Sequence, residues 1–124
     1  MGPELANVLY ACALGCLDKA PELSISNLCS ACVVAAASGY PEQPRSGDLI
    51  TINVQQSKSL QLFHAGTRFT KNNEIHTSGG RVLSIVAQGG NFDEAFSTAY
   101  SGMEGIHFKG IHYRKDIGNQ VRNF

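Results

Sequence analysis

The chain has 124 residues, 43% of them hydrophobic, which suits one compact domain with a single core and leaves no room for a second. Ten Lys and Arg residues balance ten Asp and Glu residues, and this zero formal net charge argues against a nucleic-acid partner. Charged residues make up only 16%, below the usual quarter or so of a soluble domain, which indicates that something else covers part of the surface.

The first predicted element is a helix over Leu5–Leu17, where apolar side chains recur at helical spacing. The segment is too short to span a bilayer, and Glu4 stands where a secretory signal would carry a basic residue. We therefore expect no membrane segment and a cytoplasmic protein. A loop through Pro21 and Asn27 follows.

Four cysteines lie in this part of the chain as a C-x3-C and a C-x2-C pair, namely Cys12, Cys16, Cys29 and Cys32. The spacing is close to that of a zinc site, but zinc ligands usually sit in polar, glycine-bearing turns. Because these cysteines lie in apolar runs, free cysteines in the core are the favoured interpretation and no metal site is expected. Disulfides are not expected in a cytosolic protein.

The central part of the sequence predicts strands. The small apolar run Ala31–Ala37 predicts a buried strand, which ends at Ser38–Pro41 because both Gly and Pro interrupt it. Further strand patterns lie over Asp48–Asn53, over Leu60–Phe69 with a break at Ala65–Thr67, and over Ile75–Thr77 after a turn at Asn72 and Asn73.

The clearest strand pattern is Arg81–Gln88, which is apolar on both faces and is therefore expected to be central in its sheet. A helix follows, with Asn91 as its N-cap, Glu94 three residues later and an end near Gly102–Gly105. Together these elements predict an α+β fold, with a mostly antiparallel sheet and helices packed on one side.

Two turns end in basic side chains: Ser78–Leu83, which contains Gly79, Gly80 and Arg81, and Tyr113–Gly118, which contains Arg114, Lys115 and Asp116. A Gly-Gly pair lets the backbone approach a ligand closely, and guanidinium groups match phosphate and carboxylate in bidentate geometry. The two turns could therefore close one anion site. The alternative is an ordinary hairpin with a solvated charge.

Motifs of familiar enzymes are absent from the sequence: it has no G-x-S-x-G, H-E-x-x-H, P-loop or G-x-G-x-x-G pattern. His64 precedes the strand break at Ala65–Thr67, where backbone amides and a hydroxyl could face a ligand. A structural role for His64 remains the alternative. No catalytic residue is assigned.

Four motifs in order resemble the C-terminal part of the phosphoribosylamine-glycine ligase (glycinamide ribonucleotide synthetase) family: Ser38–Pro41, Phe63–Thr67, Thr77–Leu83 and Tyr113–Gly118. The resemblance extends from about Leu5 to Arg122. After the first motif the family often has an aromatic residue and a Lys where this chain has Pro44 and Ser46, so no ligand role is assigned to Arg45.

The resemblance implies an ATP-grasp enzyme of purine biosynthesis that joins glycine to 5-phosphoribosylamine, using ATP and magnesium, through a glycyl phosphate. It implies that residues 1–28 end the ATP-grasp central domain and that residues 29–124 form a C-terminal substrate-closing domain. The chain would then be a fragment, with one face covered by the missing ATP-grasp domains and with no ATP binding, cofactor or ligase turnover when alone.

Carried over residue by residue, the resemblance makes Arg81, Arg114 and Lys115 candidates for neutralising phosphate. The other candidates for substrate binding are His64, Gly66, Thr67, Gly79, Gly80 and Asp116. Asp116 would orient Arg114 or Lys115, or meet the substrate amine. The alternative function is a free-standing, non-catalytic module that binds a phosphorylated metabolite.

Overall fold

The computed structural model describes residues 4–122, so the expected domain limits at residues 1 and 124 lie outside the described part. Its elements are, in chain order, α1 (Glu4–Ala13), a short 3-10 helix (Leu17–Lys19), β1 (Cys29–Ala36), β2 (Thr51–Ile52), β3 (Leu60–His64), β4 (Thr67–Phe69), β5 (Ile75–Thr77), β6 (Arg81–Gly89), α2 (Phe92–Glu104), β7 (Ile106–His107) and α3 (Asn119–Arg122). The predicted α+β class is confirmed, and the strand pairs are antiparallel.

The main sheet has three strands in the order β1-β6-β3, so the predicted central position of β6 is confirmed. Strands β1 and β3 pair with opposite edges of β6, so that Val33 of β1 and Leu62 of β3 both lie opposite Ile85. Leu83, Ile85 and other side chains of the same face are fully buried. Two-stranded sheets of β2 with β7 and of β4 with β5 flank this layer.

Helix α2 covers one face of the main sheet, and its capping follows the prediction. The Asn91 side chain accepts a hydrogen bond from the Glu94 N–H at 2.9 Å, and the Glu94 carboxylate accepts from the Gly90 N–H at 2.8 Å. The helix ends at Glu104, and Gly105 is its C-cap. Its buried residues, Ala95, Phe96, Ala99, Gly102 and Met103, form the stripe that packs on the strands.

The prediction that β1 is buried as a whole, with its cysteines in the core, is wrong. Residues alternate along the strand, so that Val33 is buried while Cys32 and Val34 are exposed. The reason is that α2 covers only one face of the sheet, and the opposite face has no layer on it within residues 4–122. Cys12 is also exposed, because the helix that carries it has little to pack against.

Helix α1 is shorter than predicted and does not join the layer formed by α2. It ends at Ala13, and Gly15 then takes a φ of +69° that turns the chain away. α1 contacts mainly the 3-10 helix, so the expectation that the helices pack on one side of the sheet holds for α2 and not for α1. None of the helices between residues 4 and 122 is both long and apolar enough to cross a bilayer.

The β4-β5 hairpin turns where the sequence predicted it, with Asn73 at a φ of 61°. Two hydrogen bonds connect the loop before β2 to this hairpin. The Asp48 N–H donates to Thr77 Oγ1 at 3.0 Å, and the Thr77 N–H donates to the Asp48 carbonyl at 2.9 Å. The buried Asp48 carboxylate is paired with Arg45 at 2.8 Å. Arg45 therefore has a structural partner in Asp48.

His76 of β5 links the hairpin to the same loop. Its Nδ1 lies 2.9 Å from the Gly47 carbonyl and its Nε2 lies 3.2 Å from Glu74 Oε2. The hydrogen bond to the Gly47 carbonyl, assisted by that to Glu74, raises the pKa of His76 above its usual value. A raised native pKa means that the imidazolium contributes stability below its unfolded pKa and that this contribution is lost as pH rises through the native pKa.

We therefore expect His76→Gln to lower the free energy of unfolding more at a pH of about 5.5 than at a pH of about 8, on either side of the usual histidine pKa. Urea unfolding at the two pH values measures this difference. The control is His107→Gln, since His107 is exposed in β7. An equal loss at both pH values for His76→Gln would contradict the assignment.

Candidate functional site

The candidate site begins where two backbone segments cross at Gly66. The Gly66 N–H donates to the Arg81 carbonyl at 2.8 Å, and the Gly66 carbonyl accepts from the Ser78 N–H at 2.7 Å. A Cβ at Gly66 would lie 2.7 Å from the Arg81 carbonyl oxygen and 2.8 Å from the Gly79 Cα, too close for any side chain. The strand break after β3 and the Gly-Gly-Arg turn are thus brought together.

A depression of about 610 Å³ opens beside this crossing. Its walls include Gly66, Gly80 and Arg81 from the predicted set. The full lining is Val34, Tyr40, Ala65, Gly66, Gly80, Arg81, Leu83 and Ser84. Backbone groups, the two hydroxyl-bearing side chains of Tyr40 and Ser84 and the side chain of Arg81 therefore border a space that is large enough for a small polar ligand.

A second depression of about 380 Å³ adjoins the first and carries the second basic turn. Arg81 and Arg114, predicted from separate motifs, both line it. The other lining residues are Cys32, Val33, Val34, Ala36, Tyr40, Pro41, His112, Tyr113 and Ile117. The structure thus places two arginine residues from separate turns along one mostly apolar cavity.

Arg114 is held by Asp116 in a bidentate pair, with Nε to Oδ1 at 2.8 Å and Nη2 to Oδ2 at 2.6 Å. Hydrogen bonding to Arg114 lowers the pKa of Asp116, and the same contact raises the pKa of Arg114. Both side chains are more than half exposed, so the pair contributes little to stability and acts mainly to fix the direction of the guanidinium. Of the roles left open for Asp116, the structure shows the one that orients Arg114.

The positive charges at the site are compensated to different extents. The charge of Arg114 is largely neutralised by Asp116, whereas Arg81 has no ion pair with any residue between 4 and 122. Lys115 is likewise unpaired among the described residues, but it is exposed and lines neither depression. Within residues 4–122, Arg81 is therefore the charged residue of the predicted set that lines both depressions and has no ion pair.

His64 and Thr67 lie next to the crossing without lining either depression. His64 Nδ1 and Thr67 Oγ1 are 3.1 Å apart, so the two side chains bond to each other across the turn. Gly79 contributes the close approach to Gly66 rather than a cavity wall. The predicted residues that share the cavities are accordingly Gly66, Gly80, Arg81 and Arg114, with Asp116 behind Arg114.

Sequence reasoning missed Tyr40 and Ser84 as lining residues. Tyr40 lies in the motif Ser38–Pro41, but a Gly-Tyr-Pro sequence is typical of the end of a strand. Ser84 interrupts the apolar pattern of β6 on the uncovered face of the sheet, which was the available signal. Within residues 4–122, no three His, Cys, Asp or Glu side chains converge as metal ligands would.

Tyr100 of α2 anchors the loop that carries Arg114. Its hydroxyl donates to the Arg114 carbonyl at 3.0 Å and accepts from the Ile117 N–H at 3.1 Å. The ring also packs at 6.4 Å from that of Tyr113. The second basic turn is therefore fixed to the helix that forms the core.

Comparison with known proteins gives a consistent match. The family model for the phosphoribosylglycinamide synthetase C domain matches residues 30–120. The chain is 39% identical over 124 residues to the phosphoribosylamine-glycine ligase of Nostoc sp., covering 99% of this chain and 29% of that protein. It is 39% identical over 120 residues to the bifunctional purine biosynthetic protein ADE1 of Schizosaccharomyces pombe, covering 97% of this chain and 15% of that protein.

A solved structure supports the same relationship. The crystal structure of the phosphoribosylamine-glycine ligase of Thermotoga maritima matches with a TM-score of 0.76 and 32% identity. The match covers 92% of this chain and 27% of that one. The chain thus spans less than a third of the length of these relatives.

The anchoring of the Arg114 loop can be tested with Tyr100→Phe. We expect this variant to lower the free energy of unfolding by about 1–2 kcal/mol, because two hydrogen bonds are lost and the Ile117 N–H is left without its partner. Denaturant unfolding measures the loss. Tyr113→Phe is the control, since its hydroxyl makes no hydrogen bond within the described residues. An equal effect of the two changes would contradict the anchoring role.

Proposed function

The chain belongs to the phosphoribosylglycinamide synthetase C-domain family, and we propose that it is the C-terminal, substrate-closing part of an ATP-dependent phosphoribosylamine-glycine ligase. In the proposed reaction ATP transfers its terminal phosphoryl group to the carboxylate of glycine. The amine of 5-phosphoribosylamine then attacks the carbonyl of the glycyl phosphate, phosphate leaves, and the nitrogen loses a proton. Such a step belongs to cytoplasmic purine biosynthesis.

The residues of this chain bind and orient the phosphorylated substrate in this proposal. The observation that carries it is that Arg81 and Arg114 line one cavity although they come from distant turns. Arg81 supplies an uncompensated charge for phosphate, and Arg114 supplies the N–H groups that Asp116 leaves free. Gly66 and Gly80 let the backbone form the adjoining wall.

ATP and magnesium belong, in this proposal, to the part of the ligase that the chain does not include. Magnesium is usually held by carboxylates together with the phosphates of the nucleotide. The residues between 4 and 122 offer no cluster of acidic side chains for that purpose. This chain would therefore complete the site on the side of the phosphorylated sugar.

The segment before the family match, here called the N-terminal arm (residues 4–28), is proposed to belong to the central ATP-grasp domain. It has no strand and presents large apolar side chains to solvent: Leu9, Tyr10, Leu14, Leu17, Ile25 and Leu28. Such a surface is typical of an interface. The remaining domains of the ligase would cover it, and residues from 29 onward would form the C-terminal domain.

The in-frame genomic sequence upstream of the Met1 codon tests this part of the proposal. We expect it to encode an ATP-grasp domain with an acidic metal-binding motif, because the ligases that match this chain are more than three times as long. A stop codon and a ribosome-binding site directly before Met1 would contradict it. A free-standing module that binds a phosphorylated metabolite would then be the better account.

The phosphate-binding role is tested with Arg81→Ala in the complete polypeptide that carries this chain. A charged hydrogen bond is worth about 1.5–3 kcal/mol, so we expect the KM for phosphoribosylamine to rise roughly 10- to 150-fold. Steady-state assays at saturating ATP and glycine measure it. Arg68→Ala is the matched control, because Arg68 is exposed in β4 and lines neither depression. An unchanged KM for Arg81→Ala would overturn the assignment.

A further inference from the structure

The two depressions are separated by a shared wall. Three residues line both of them, namely Val34, Tyr40 and Arg81. Val34 is apolar, and Arg81 already has a proposed role. A ligand that extends from one depression into the other would border Tyr40, whose ring and hydroxyl offer both an apolar surface and a polar contact.

The ring of Tyr40 is held in place by its neighbours. It lies against Gly80, where an added Cβ would overlap ring atoms Cδ2 and Cε2. The Tyr40 N–H donates to the Ala37 carbonyl at 3.1 Å, and the Arg45 N–H closes the loop by donating to the Ser38 carbonyl at 2.8 Å. A side chain fixed before binding loses little entropy when a ligand arrives, so Tyr40 is preorganised for a contact.

The hydroxyl of Tyr40 has no hydrogen-bond partner among residues 4–122, and the residue is 39% exposed. A phenol can donate one hydrogen bond and accept others. Tyr100 differs in this respect, since its hydroxyl is fully engaged with the Arg114 loop. The Tyr40 hydroxyl is therefore available to a ligand in the depressions that Tyr40 and Arg81 both line.

We propose that Tyr40 is a substrate-contact residue, whose hydroxyl donates a hydrogen bond to the phosphate of a phosphorylated pentose that Arg81 holds. This inference rests on the proposed ligase function and extends it to a residue outside the predicted set. A hydrogen bond from a neutral phenol to a charged phosphate oxygen is of the stronger class. The ring of Tyr40 sets the shape of the passage between the two depressions.

The test uses Tyr40→Phe in the complete polypeptide, because this change removes the hydroxyl and keeps the ring against Gly80. We expect the KM for phosphoribosylamine to rise about 10-fold, the low end for a hydrogen bond to a charged group. The KM for ATP and the thermal midpoint should not change. Ser101→Ala is the control, since it removes an exposed hydroxyl from α2 outside both depressions.

A second pair of variants tests the position of the ring. Gly80→Ala should raise the KM for phosphoribosylamine because the new methyl group displaces the Tyr40 ring. In a Tyr40→Ala background the same Gly80→Ala change should have a smaller effect, because the ring is no longer there to be displaced. Equal effects in both backgrounds would show that Gly80 does not act through Tyr40 and would overturn the proposed role of the ring.

The outcomes separate this inference from the proposed function. If Arg81→Ala weakens phosphoribosylamine binding and Tyr40→Phe does not, the Tyr40 contact is wrong and the ligase proposal stands. If the complete polypeptide is an active ligase but neither change alters this KM, both the Tyr40 contact and the phosphate site are wrong. If the complete polypeptide has no ligase activity, the proposed function fails and the Tyr40 inference fails with it.

Discussion

The close backbone crossing at Gly66 is the constraint on which the candidate site depends. Gly66 bonds to the carbonyl of Arg81 and to the N–H of Ser78, while its Cα lies against Gly79. These contacts are possible only because Gly66 has no Cβ. The crossing fixes where β6 begins, and β6 is the strand that holds the core together. The guanidinium proposed to bind phosphate is therefore positioned by the element that also determines the fold.

The same sheet forms both the core and the wall of the site, because α2 covers only one of its faces. Ile85 and its neighbours on the covered face are buried against α2. On the other face Val34 and Ser84 stand opposite each other in register and line the first depression. A rigid, hydrogen-bonded sheet is a precise support for binding groups, because its side chains have little freedom to move. The cost is an uncovered apolar surface, which a neighbouring domain or a ligand can cover.

Local patterns in the sequence predicted the elements well, because their causes lie within a few residues. The two apolar faces of Arg81–Gly89, the Asn91 cap and the positive φ at Asn73 all follow from short-range chemistry. The exposure of Cys32 could not be predicted in this way, since it depends on whether a second layer covers the sheet. Whether Asp116 pairs with Arg114 or with Lys115 likewise depends on the geometry of the loop. The position of Tyr40 in the cavity wall was not predicted, because its local sequence is typical of a turn.

The two arginines of the site are suited to different tasks because their charges are compensated differently. A bidentate carboxylate fixes Arg114 in direction and cancels most of its field, so that arginine contributes geometry more than charge. Arg81 keeps its full field but has only its strand and the Gly66 crossing to position it. The structure therefore combines one oriented arginine with one uncompensated arginine, an arrangement that suits the proposed phosphate site.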